Sequence, residues 1–479
     1  MQLRSVVAIF LTGVLAACGS DDDVPAGAPT FENPPEIASR DGVLDTSFTV
    51  VTADVDVAGQ RVRTQLYNGE YVPPTLRVRR GDEIRLSLRN FGPMETNLHY
   101  HGMNVSPLGH SDNVFVHVLP EETFDYRIDI DDTHPQGLFY YHPHQYGTTE
   151  SQIMGGMSGL LVVDGLLDPF PDLAGITERL MQLKDTQIVD GALPDDIDPS
   201  APTNHTLNGL VNPTISIRPG ELQLWRIGNI GADLYYPLVL EGHTFYVVAR
   251  DGNRHNQLIE TDQLLLPPSS RFEVLVRGGP PGTYLFKSLD FDTGPVGDSY
   301  PGVTLATLVS SGAAVDPLPL PRDFPAVPDL RAVPSPTPRT IIFDESADGN
   351  TFFIDGRMFD PDRVDTRVTL GSVEEWTIKN CTQELHVFHI HQLDFQVTEV
   401  NGVSQPFVGR QDTVNLPYAT GEGEDDEDCQ TGTPGVVKVL IPFTEATNLG
   451  KFVYHCHIGE HEDNGMMATI EVVPPASSP

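Results

Sequence analysis

Histidines that stand two residues apart are the part of this sequence with the plainest chemistry. The 479-residue chain has 16 histidines, a frequency at which chance supplies roughly half of one His-x-His pair. Imidazole nitrogens bind copper, zinc, iron and nickel, so such pairs predict a transition-metal site without naming the metal. Four pairs occur: His99/His101, His142/His144, His389/His391 and His455/His457.

The spacing of the pairs also predicts how their side chains meet. Residues i and i+2 of a β-strand point to the same face, so each pair in a strand offers two imidazoles side by side. The four pairs supply eight nitrogens. Three copper ions with three, three and two ligands would use all of them and leave open positions for a substrate such as O2.

A second set of metal ligands surrounds the last two pairs. Cys456 lies between the histidines of the last pair, and His386 lies three residues before the third pair, so both side chains point away from the paired imidazoles. His461 and Met466 follow Cys456 closely. Two histidines, a cysteine and a methionine form the ligand set of a blue-copper electron-transfer site. An electron collected at Cys456 would pass through its peptide neighbours to the three-metal site.

The elements that position these motifs repeat along the chain. Alternating strands begin near Leu76, Ile215 and Val368, and a glycine-led apolar segment follows each of them. Copies spaced by about 140 to 170 residues indicate three similar all-β sandwich domains. The 43 glycines and 41 prolines agree with many short strands.

The middle copy differs from the outer two in its chemistry. Tyr235-Tyr236 and Lys287-Ser288 stand where the outer copies have histidines. We therefore expect a structural middle domain and a joint site between the first and third domains. The expected domains cover residues 47–166, 175–315 and 339–475, with linkers near 164–174 and 316–338.

The composition excludes several classes of protein. Acidic residues outnumber basic ones 67 to 29, which gives a formal net charge of −38. A surface of that sign repels phosphate backbones, so no nucleic acid is expected as a partner. The same charge attracts cations or reflects a saline environment. The 39 % share of hydrophobic residues is that of a globular protein and argues against disorder.

The first residues predict export. Residues 1–17 contain about twelve mostly apolar residues, too few to span a bilayer and typical of a signal peptide. Leu15-Ala16-Ala17-Cys18 resembles a bacterial lipobox, in which Cys18 would carry a lipid anchor; ordinary cleavage with an incidental Cys18 is the alternative. Residues 18–46 are expected to form a flexible tether. The expected location is that of an exported bacterial lipoprotein, periplasmic or at the outer membrane.

Two further cysteines could be joined in such a location. An exported chain permits a disulfide between Cys381 and Cys429, and two separate thiols are the alternative. The acidic run at residues 422–428 precedes Cys429 and is interpreted as a solvated loop rather than as a cation site.

Taken together, the motifs resemble those of three-domain multicopper oxidases of the bacterial laccase type, over nearly the whole mature chain. The resemblance implies an all-β fold of three consecutive cupredoxin-like Greek-key β-sandwich domains. It also implies four copper ions, one of type 1, one of type 2 and two of type 3. The matching segments are His99-Tyr100-His101-Gly102, His142-Pro143-His144, His386-Val387-Phe388-His389-Ile390-His391 and His455-Cys456-His457-Ile458-Gly459-Glu460-His461, followed by Met466.

The resemblance also implies which residue binds which copper. The type 1 ligands would be His386, Cys456, His461 and Met466, the type 2 ligands His99 and His389, and the type 3 ligands His101, His142, His144, His391, His455 and His457. The sequence departs from the family at Val387, usually proline, at Gln392, often glycine, and at Tyr146, a histidine in some relatives. None of these changes removes a ligand, although Gln392 could alter how the neighbouring His391 is oriented.

The implied reaction is the reduction of O2 to water with electrons from a small-molecule reductant. Protons must come from nearby acids, and the candidates are Asp112, shortly after the first motif, and Glu462, next to a type 1 ligand. Either could instead be a solvated surface carboxylate. The remaining histidines lack partners at ligand spacing and are expected to be structural: His110, His117, His134, His205, His243 and His255.

The methionine content bears on the identity of the reductant. The chain has nine methionines without a dense cluster, which argues against a specialised Cu(I) oxidase, since thioethers select Cu(I). Phenols or aromatic amines are therefore the expected donors. The alternatives are a metallo-oxidase of Cu(I), Fe(II) or Mn(II) in copper resistance, and a copper-binding or structural relative without turnover.

Overall fold

The computed structural model describes residues 27–194, 198, 201–421, 429 and 432–476. The predicted signal peptide, Cys18 and the acidic run at 422–428 lie outside the described residues. Strands dominate the fold, and among the described residues no helix has the length and apolar character needed to cross a membrane.

The first domain is a sandwich of two sheets with one short helix, α1 (Thr149–Met154). The sheets have the strand orders β1-β4-β9-β8-β6 and β3-β2-β5-β7. The strands are β1 (Glu36–Ala38), β2 (Val43–Val57), β3 (Gln60–Tyr67), β4 (Thr75–Val78), β5 (Glu83–Asn90), β6 (His99–His101), β7 (Thr123–Asp129), β8 (Leu138–His142) and β9 (Gly159–Val163).

The second domain has two large sheets with the orders β11-β10-β13-β18-β15-β16 and β12-β22-β19-β14-β17, and a two-stranded ribbon, β20-β21. Its strands are β10 (Thr177–Thr186), β11 (Asn204–Leu207), β12 (Thr214–Ile217), β13 (Leu222–Asn229), β14 (Tyr236–Leu240), β15 (Phe245–Arg250), β16 (Asn253–Thr261), β17 (Gln263–Leu266), β18 (Arg271–Arg277), β19 (Gly282–Ser288), β20 (Phe291–Asp292), β21 (Ser299–Tyr300) and β22 (Val303–Ser310).

The third domain repeats this plan with the sheet orders β24-β23-β26-β31-β28-β29 and β25-β33-β32-β27-β30. A short helix, α2 (Gly459–Asp463), follows β32. The strands are β23 (Thr337–Glu345), β24 (Phe352–Ile354), β25 (Thr366–Thr369), β26 (Ser372–Asn380), β27 (His386–Ile390), β28 (Gln396–Val400), β29 (Val403–Ser404), β30 (Thr413–Leu416), β31 (Gly435–Phe443), β32 (Gly450–Cys456) and β33 (Met467–Val473).

The repeated segment, expected to be a single strand in each copy, forms two strands that belong to different sheets: β4 and β5, β12 and β13, and β25 and β26. The second strand of each couple, β5, β13 or β26, is an inner strand of its sheet. In β5 the residues Ile84, Leu86 and Leu88 are buried, while those between them are more exposed. Trp225 of β13 and Trp376 of β26 are both fully buried. The period of two turns one face of each strand toward a core between two sheets. The prediction of three all-β sandwiches is confirmed.

The expected tether is wrong for its described part, residues 27–46. Strand β1 pairs in parallel with β4, and β2 begins at Val43. Phe31 is 4 % exposed because it packs into the core of the second domain, and its N–H donates to the Thr214 carbonyl. A single aromatic anchor and a short added strand therefore fix a segment whose proline- and alanine-rich composition predicted flexibility.

Candidate metal centre

Direct strand pairing brings the histidine pairs together. In the first domain β6 lies antiparallel to β8, which places His99 opposite His142. In the third domain β27 lies antiparallel to β32, which places His389 opposite His455. Side chains opposite each other in adjacent strands have Cβ atoms about 5 Å apart. The sheet register thus delivers paired imidazoles from each outer domain to one interface.

All eight paired imidazoles are buried at that interface, between 0 and 3 % exposed. His455 Nε2 lies 3.2 Å from His144 Nε2 and 3.2 Å from His391 Nε2, which joins the two domains. The rings of His101 and His389 stack across the same interface with centroids 3.9 Å apart. Close donor groups are His99/His101/His142, His99/His389/His391 and His144/His391/His455.

The ring nitrogens are oriented as metal ligands would be. His99 Nδ1 lies 3.0 Å from Asp112 Oδ2, His142 Nδ1 donates to the Pro143 carbonyl and His389 Nδ1 donates to the Asp412 carbonyl. The opposite nitrogen, Nε2, of each of these histidines is buried and has no hydrogen-bond partner among the described residues. An orphaned buried acceptor is costly, and outer hydrogen bonds of this kind fix the tautomer of metal-ligating histidines. The site therefore fits metal ions.

Burial also favours the neutral form of His142 and His144. It lowers the pKa of His142 to about 3 and that of His144 to about 4. Neutral imidazole is the form that binds metals. One residue differs from the rest: His457 Nε2 lies 3.0 Å from the Tyr140 hydroxyl, which must turn away if that nitrogen is to bind a metal.

The second group of donors lies on the other side of β32. His386 Nδ1 and His461 Nδ1 are 2.9 Å apart, and the Cys456 Sγ lies 3.8 and 3.6 Å from them. Met466 is fully buried next to them, and its N–H donates to the His461 carbonyl. Cys456 thus points away from the paired imidazoles, as strand geometry predicts. Burial raises the pKa of the Cys456 thiol, so a bound cation is needed to keep it as a thiolate.

The two predicted catalytic acids both reach the paired histidines. Glu462 lies on α2, and its carboxylate oxygens are 3.4 Å from His144 Nδ1 and 3.2 Å from His455 Nδ1. Burial by itself raises the pKa of Glu462. The imidazoles of His144 and His455 lower it by a larger amount, so the pKa is about 2. Asp112 contacts His99, and burial raises the pKa of Asp112 to about 7 against hydrogen bonds from the Tyr100 N–H and Gln392.

Several contacts around the site were not predicted from the sequence. Gln392 has a φ of +64°, which explains why glycine suits this position, and its amide donates to Asp112 rather than orienting His391. Thr382 Oγ1 lies 2.9 Å from His386 Nε2, and Glu384 Oε1 lies 3.2 Å from His461 Nε2. These contacts depend on loops whose course periodicity does not predict.

The loop that carries Thr382 and Glu384 is fixed by a disulfide. Cys381 and Cys429 are bonded, with Cα atoms 5.2 Å apart. Of the two alternatives left open by the sequence, the disulfide is the one formed. The six histidines expected to be structural belong to none of the close donor groups among the described residues.

Comparisons with known proteins agree with this geometry. Three family models, each described as multicopper oxidase, match residues 49–166, 178–313 and 332–476. A multicopper oxidase of Staphylococcus haemolyticus is 26 % identical over 424 residues, which cover 85 % of this chain and 83 % of that protein.

Solved structures with the same fold carry more than one description. A multicopper oxidase from Campylobacter jejuni, described as a metallo-oxidase, superposes with a TM-score of 0.79 at 23 % identity and covers 93 % of this chain and 95 % of its own. A laccase from Pediococcus acidilactici gives a TM-score of 0.76 at 24 % identity, with 93 % of both chains covered. These likenesses establish the fold of three cupredoxin-like domains.

The family matches extend through all three domains, and the buried donor groups fit a type 1 copper and a trinuclear copper cluster. The chain therefore belongs to the multicopper oxidase family, as a copper-dependent oxidoreductase that uses O2.

Proposed function

We propose that this oxidase takes single electrons from positively charged donors beside His461 and delivers them to O2 at the paired histidines. In this proposal the type 1 ligands are His386, Cys456, His461 and Met466, the type 2 ligands are His99 and His389, and the type 3 ligands are His101, His142, His144, His391, His455 and His457. The separation of the donors into two groups on the two faces of β32 supports this assignment.

Copper would supply the one-electron chemistry and the positions that bind O2. The chain supplies the connection, because Cys456 is covalently joined to His455 and His457, whose rings belong to the other group. It also supplies protons, since Glu462 and Asp112 each contact histidines of that group. A carboxylate within hydrogen-bond reach can hold and transfer a proton there.

The observation that supports a cationic donor is the cleft above His461, which has a volume of about 600 Å³. Seven carboxylate side chains line it: Asp198, Asp298, Asp344, Glu345, Asp348, Glu384 and Glu460. No lysine or arginine is among the described residues that line it. Carboxylate oxygens suit hard cations, and they repel phenolates.

The position of the cleft also fits electron entry. His461 lines the cleft, and its Nε2 lies 3.2 Å from Glu384 Oε1, so a cation held by Glu384 would be one hydrogen-bonded side chain from the type 1 ligand. We therefore favour a reducing metal ion that suits oxygen ligands, Fe(II) or Mn(II), as the donor. The charge of the cleft now favours the metallo-oxidase alternative over phenols.

An aromatic amine is the second candidate, because the cleft is larger than a single ion requires. Its volume of about 600 Å³ lies within the range of small-molecule sites. A protonated amine would satisfy the same carboxylates as a metal ion.

A donor panel tests the proposal. O2 uptake by the copper-loaded enzyme would be measured with Fe(II), Mn(II), Cu(I), a cationic phenylenediamine, neutral hydroquinone and an anionic phenol. We expect higher kcat/KM for the cations, and a KM for cations that rises roughly fivefold in Asp298→Asn/Asp348→Asn, because the cleft loses two of its carboxylates. Glu260→Gln, an exposed carboxylate of β16, is the control. Equal use of anionic and cationic donors would contradict the proposal.

We further propose export of the protein with a lipid on Cys18. The disulfide between Cys381 and Cys429 supports an oxidising compartment. Fatty-acid labelling that persists in Cys18→Ala would contradict the anchor.

A further inference from the structure

Arg271 is the first residue of β18 in the second domain, which supplies none of the proposed copper ligands. Its side chain is fully buried at the junction of all three domains. The Nη1 and Nη2 groups donate to Asp412 Oδ1 and Oδ2 of the third domain at 2.9 and 2.6 Å. The Nε group donates to the Leu138 carbonyl of the first domain at 3.2 Å. One guanidinium therefore connects three domains.

Asp412 in turn contacts one proposed ligand from each outer domain. Its backbone carbonyl accepts a hydrogen bond of 2.8 Å from His389 Nδ1. Its carboxylate Oδ1 lies 3.4 Å from His101 Nε2 and also accepts from the Thr413 hydroxyl at 2.9 Å. The two imidazoles that Asp412 contacts are those that stack on each other across the domain interface.

The carboxylate of Asp412 and the guanidinium of Arg271 lie close against the backbone of the first domain at Gly102. Gly102, which directly follows His101, has a φ of +78°, and a Cβ there would lie 2.3 Å from Asp412 Oδ2 and 2.5 Å from Arg271 Nη2. The backbone N–H of Arg271 donates to Asp251 Oδ1 at 2.8 Å, which fixes the base of the side chain. A planar fork of donors held in this way sets the orientation of a carboxylate, and an ammonium group does not reproduce it.

We propose that Arg271 is a positioning residue for the trinuclear copper site, where it orients His101 and His389 through Asp412. This inference rests on the proposed assignment of the paired histidines to copper. It gives the middle domain a part in the metal site, where the sequence predicted a purely structural role. Replacing a hydrogen-bonding partner of a metal-ligating histidine typically lowers metal affinity or activity by about 10- to 100-fold.

The test compares two Arg→Lys variants of the full-length, copper-loaded protein. Arg271→Lys keeps the charge and removes the fork. Arg226→Lys is the matched control, because Arg226 of β13 is a second buried arginine of the middle domain, 4 % exposed and paired with Glu178 and Glu273. The readouts are the type 2 copper signal in electron paramagnetic resonance, and the copper retained per chain during titration with a chelator. The blue type 1 absorbance reports folding of the third domain.

We expect Arg271→Lys to shift the hyperfine splitting of the type 2 signal and to weaken retention of that copper roughly 10- to 100-fold. The type 1 absorbance should stay unchanged, and Arg226→Lys should match the wild type in both readouts. An Arg271→Lys protein with wild-type hyperfine splitting and copper retention would overturn the inference. A wild-type protein that binds no copper at the paired histidines would instead overturn the proposed function.

A second variant keeps the test decisive if Arg271→Lys does not fold. Asp412→Asn keeps the shape of the side chain and removes the charge that Arg271 contacts. We expect the same change in the type 2 signal from Asp412→Asn, and a wild-type signal in that variant would overturn the inference. Where both single variants fold, the double variant should lose no more than either of them, because the two residues act as one unit. Additive losses in the double variant would show independent action and would also overturn the inference.

Discussion

At the scale of single residues, the site shows how surroundings shift the pKa values of two carboxylates in opposite directions. The pKa of Asp112 is raised to about 7 by burial, while that of Glu462 is lowered to about 2 because two imidazoles outweigh its burial. The sequence identified both acids from their places beside the motifs. It could not predict their opposite shifts, since these depend on groups from distant parts of the chain.

Replacing Glu462 by glutamine should separate the two halves of the reaction. Glu462→Gln keeps the size of the side chain and removes the carboxylate that contacts His144 and His455. We expect reoxidation of the reduced enzyme by O2 to slow roughly 100-fold, the range of general acid–base catalysis. Anaerobic bleaching of the blue absorbance by a donor should keep its rate, because the donor cleft is unchanged. Stopped-flow absorbance measures both steps.

The control for this variant is Glu471→Gln, on β33, whose carboxylate pairs with the exposed Arg367. It should leave both rates unchanged. If Glu462→Gln reoxidises as fast as the wild type, another group supplies the protons and Glu462 has no part in their transfer.

At the scale of elements, the period of two predicted most of the metal centre. It placed His99 and His101 on one face of β6, and it placed Cys456 opposite to His455 on β32. The second histidines of the other three pairs, His144, His391 and His457, lie just beyond the ends of β8, β27 and β32. The sequence could not predict the contact of Arg271 with Asp412 or that of Gln392 with Asp112, because each joins segments that no local pattern connects. The anchoring of Phe31 was missed for the same reason.

The loop between β26 and β27 is held in place by a disulfide. It carries Thr382 and Glu384 against His386 and His461, the two proposed type 1 histidines, and the Cys381–Cys429 disulfide closes a span of 48 residues behind it. Loss of such a cross-link frees the unfolded chain and costs about 2–4 kcal/mol in typical cases. We expect Cys381→Ser/Cys429→Ser to lower the free energy of unfolding of the third domain by that amount.

Urea unfolding followed by the blue absorbance measures this change, and a midpoint equal to that of the wild type would refute it.

The same variant should raise the KM for cationic donors, because Glu384 loses its fixed position beside His461. The KM for O2 should not change, since the paired histidines lie on the opposite face of β32.

At the scale of the whole molecule, the net negative charge and the acidic cleft both attract cations. The protein has a net charge of −38, and seven carboxylates line the cleft above His461. A cleft lined by charges of one sign focuses the electric field of the protein. The total charge follows from the composition, which left open whether it attracts cations or reflects a saline environment. The concentration of acids above His461 depends on the meeting of loops from two domains.

This field predicts a salt dependence that differs between donors. The screening length falls from about 30 Å at 0.01 M salt to about 8 Å at 0.15 M. We therefore expect kcat/KM for Fe(II) to fall roughly tenfold over this range, because long-range attraction accelerates the encounter of a cation with the cleft. The kcat at saturating Fe(II) should stay constant, since the electron then passes between buried groups that salt ions do not reach. Neutral hydroquinone, with no charge to attract, should show a flat kcat/KM in the same O2-uptake assay. A parallel fall for both donors would mean that salt acts on the enzyme itself, and that the acids of the cleft do not select the donor.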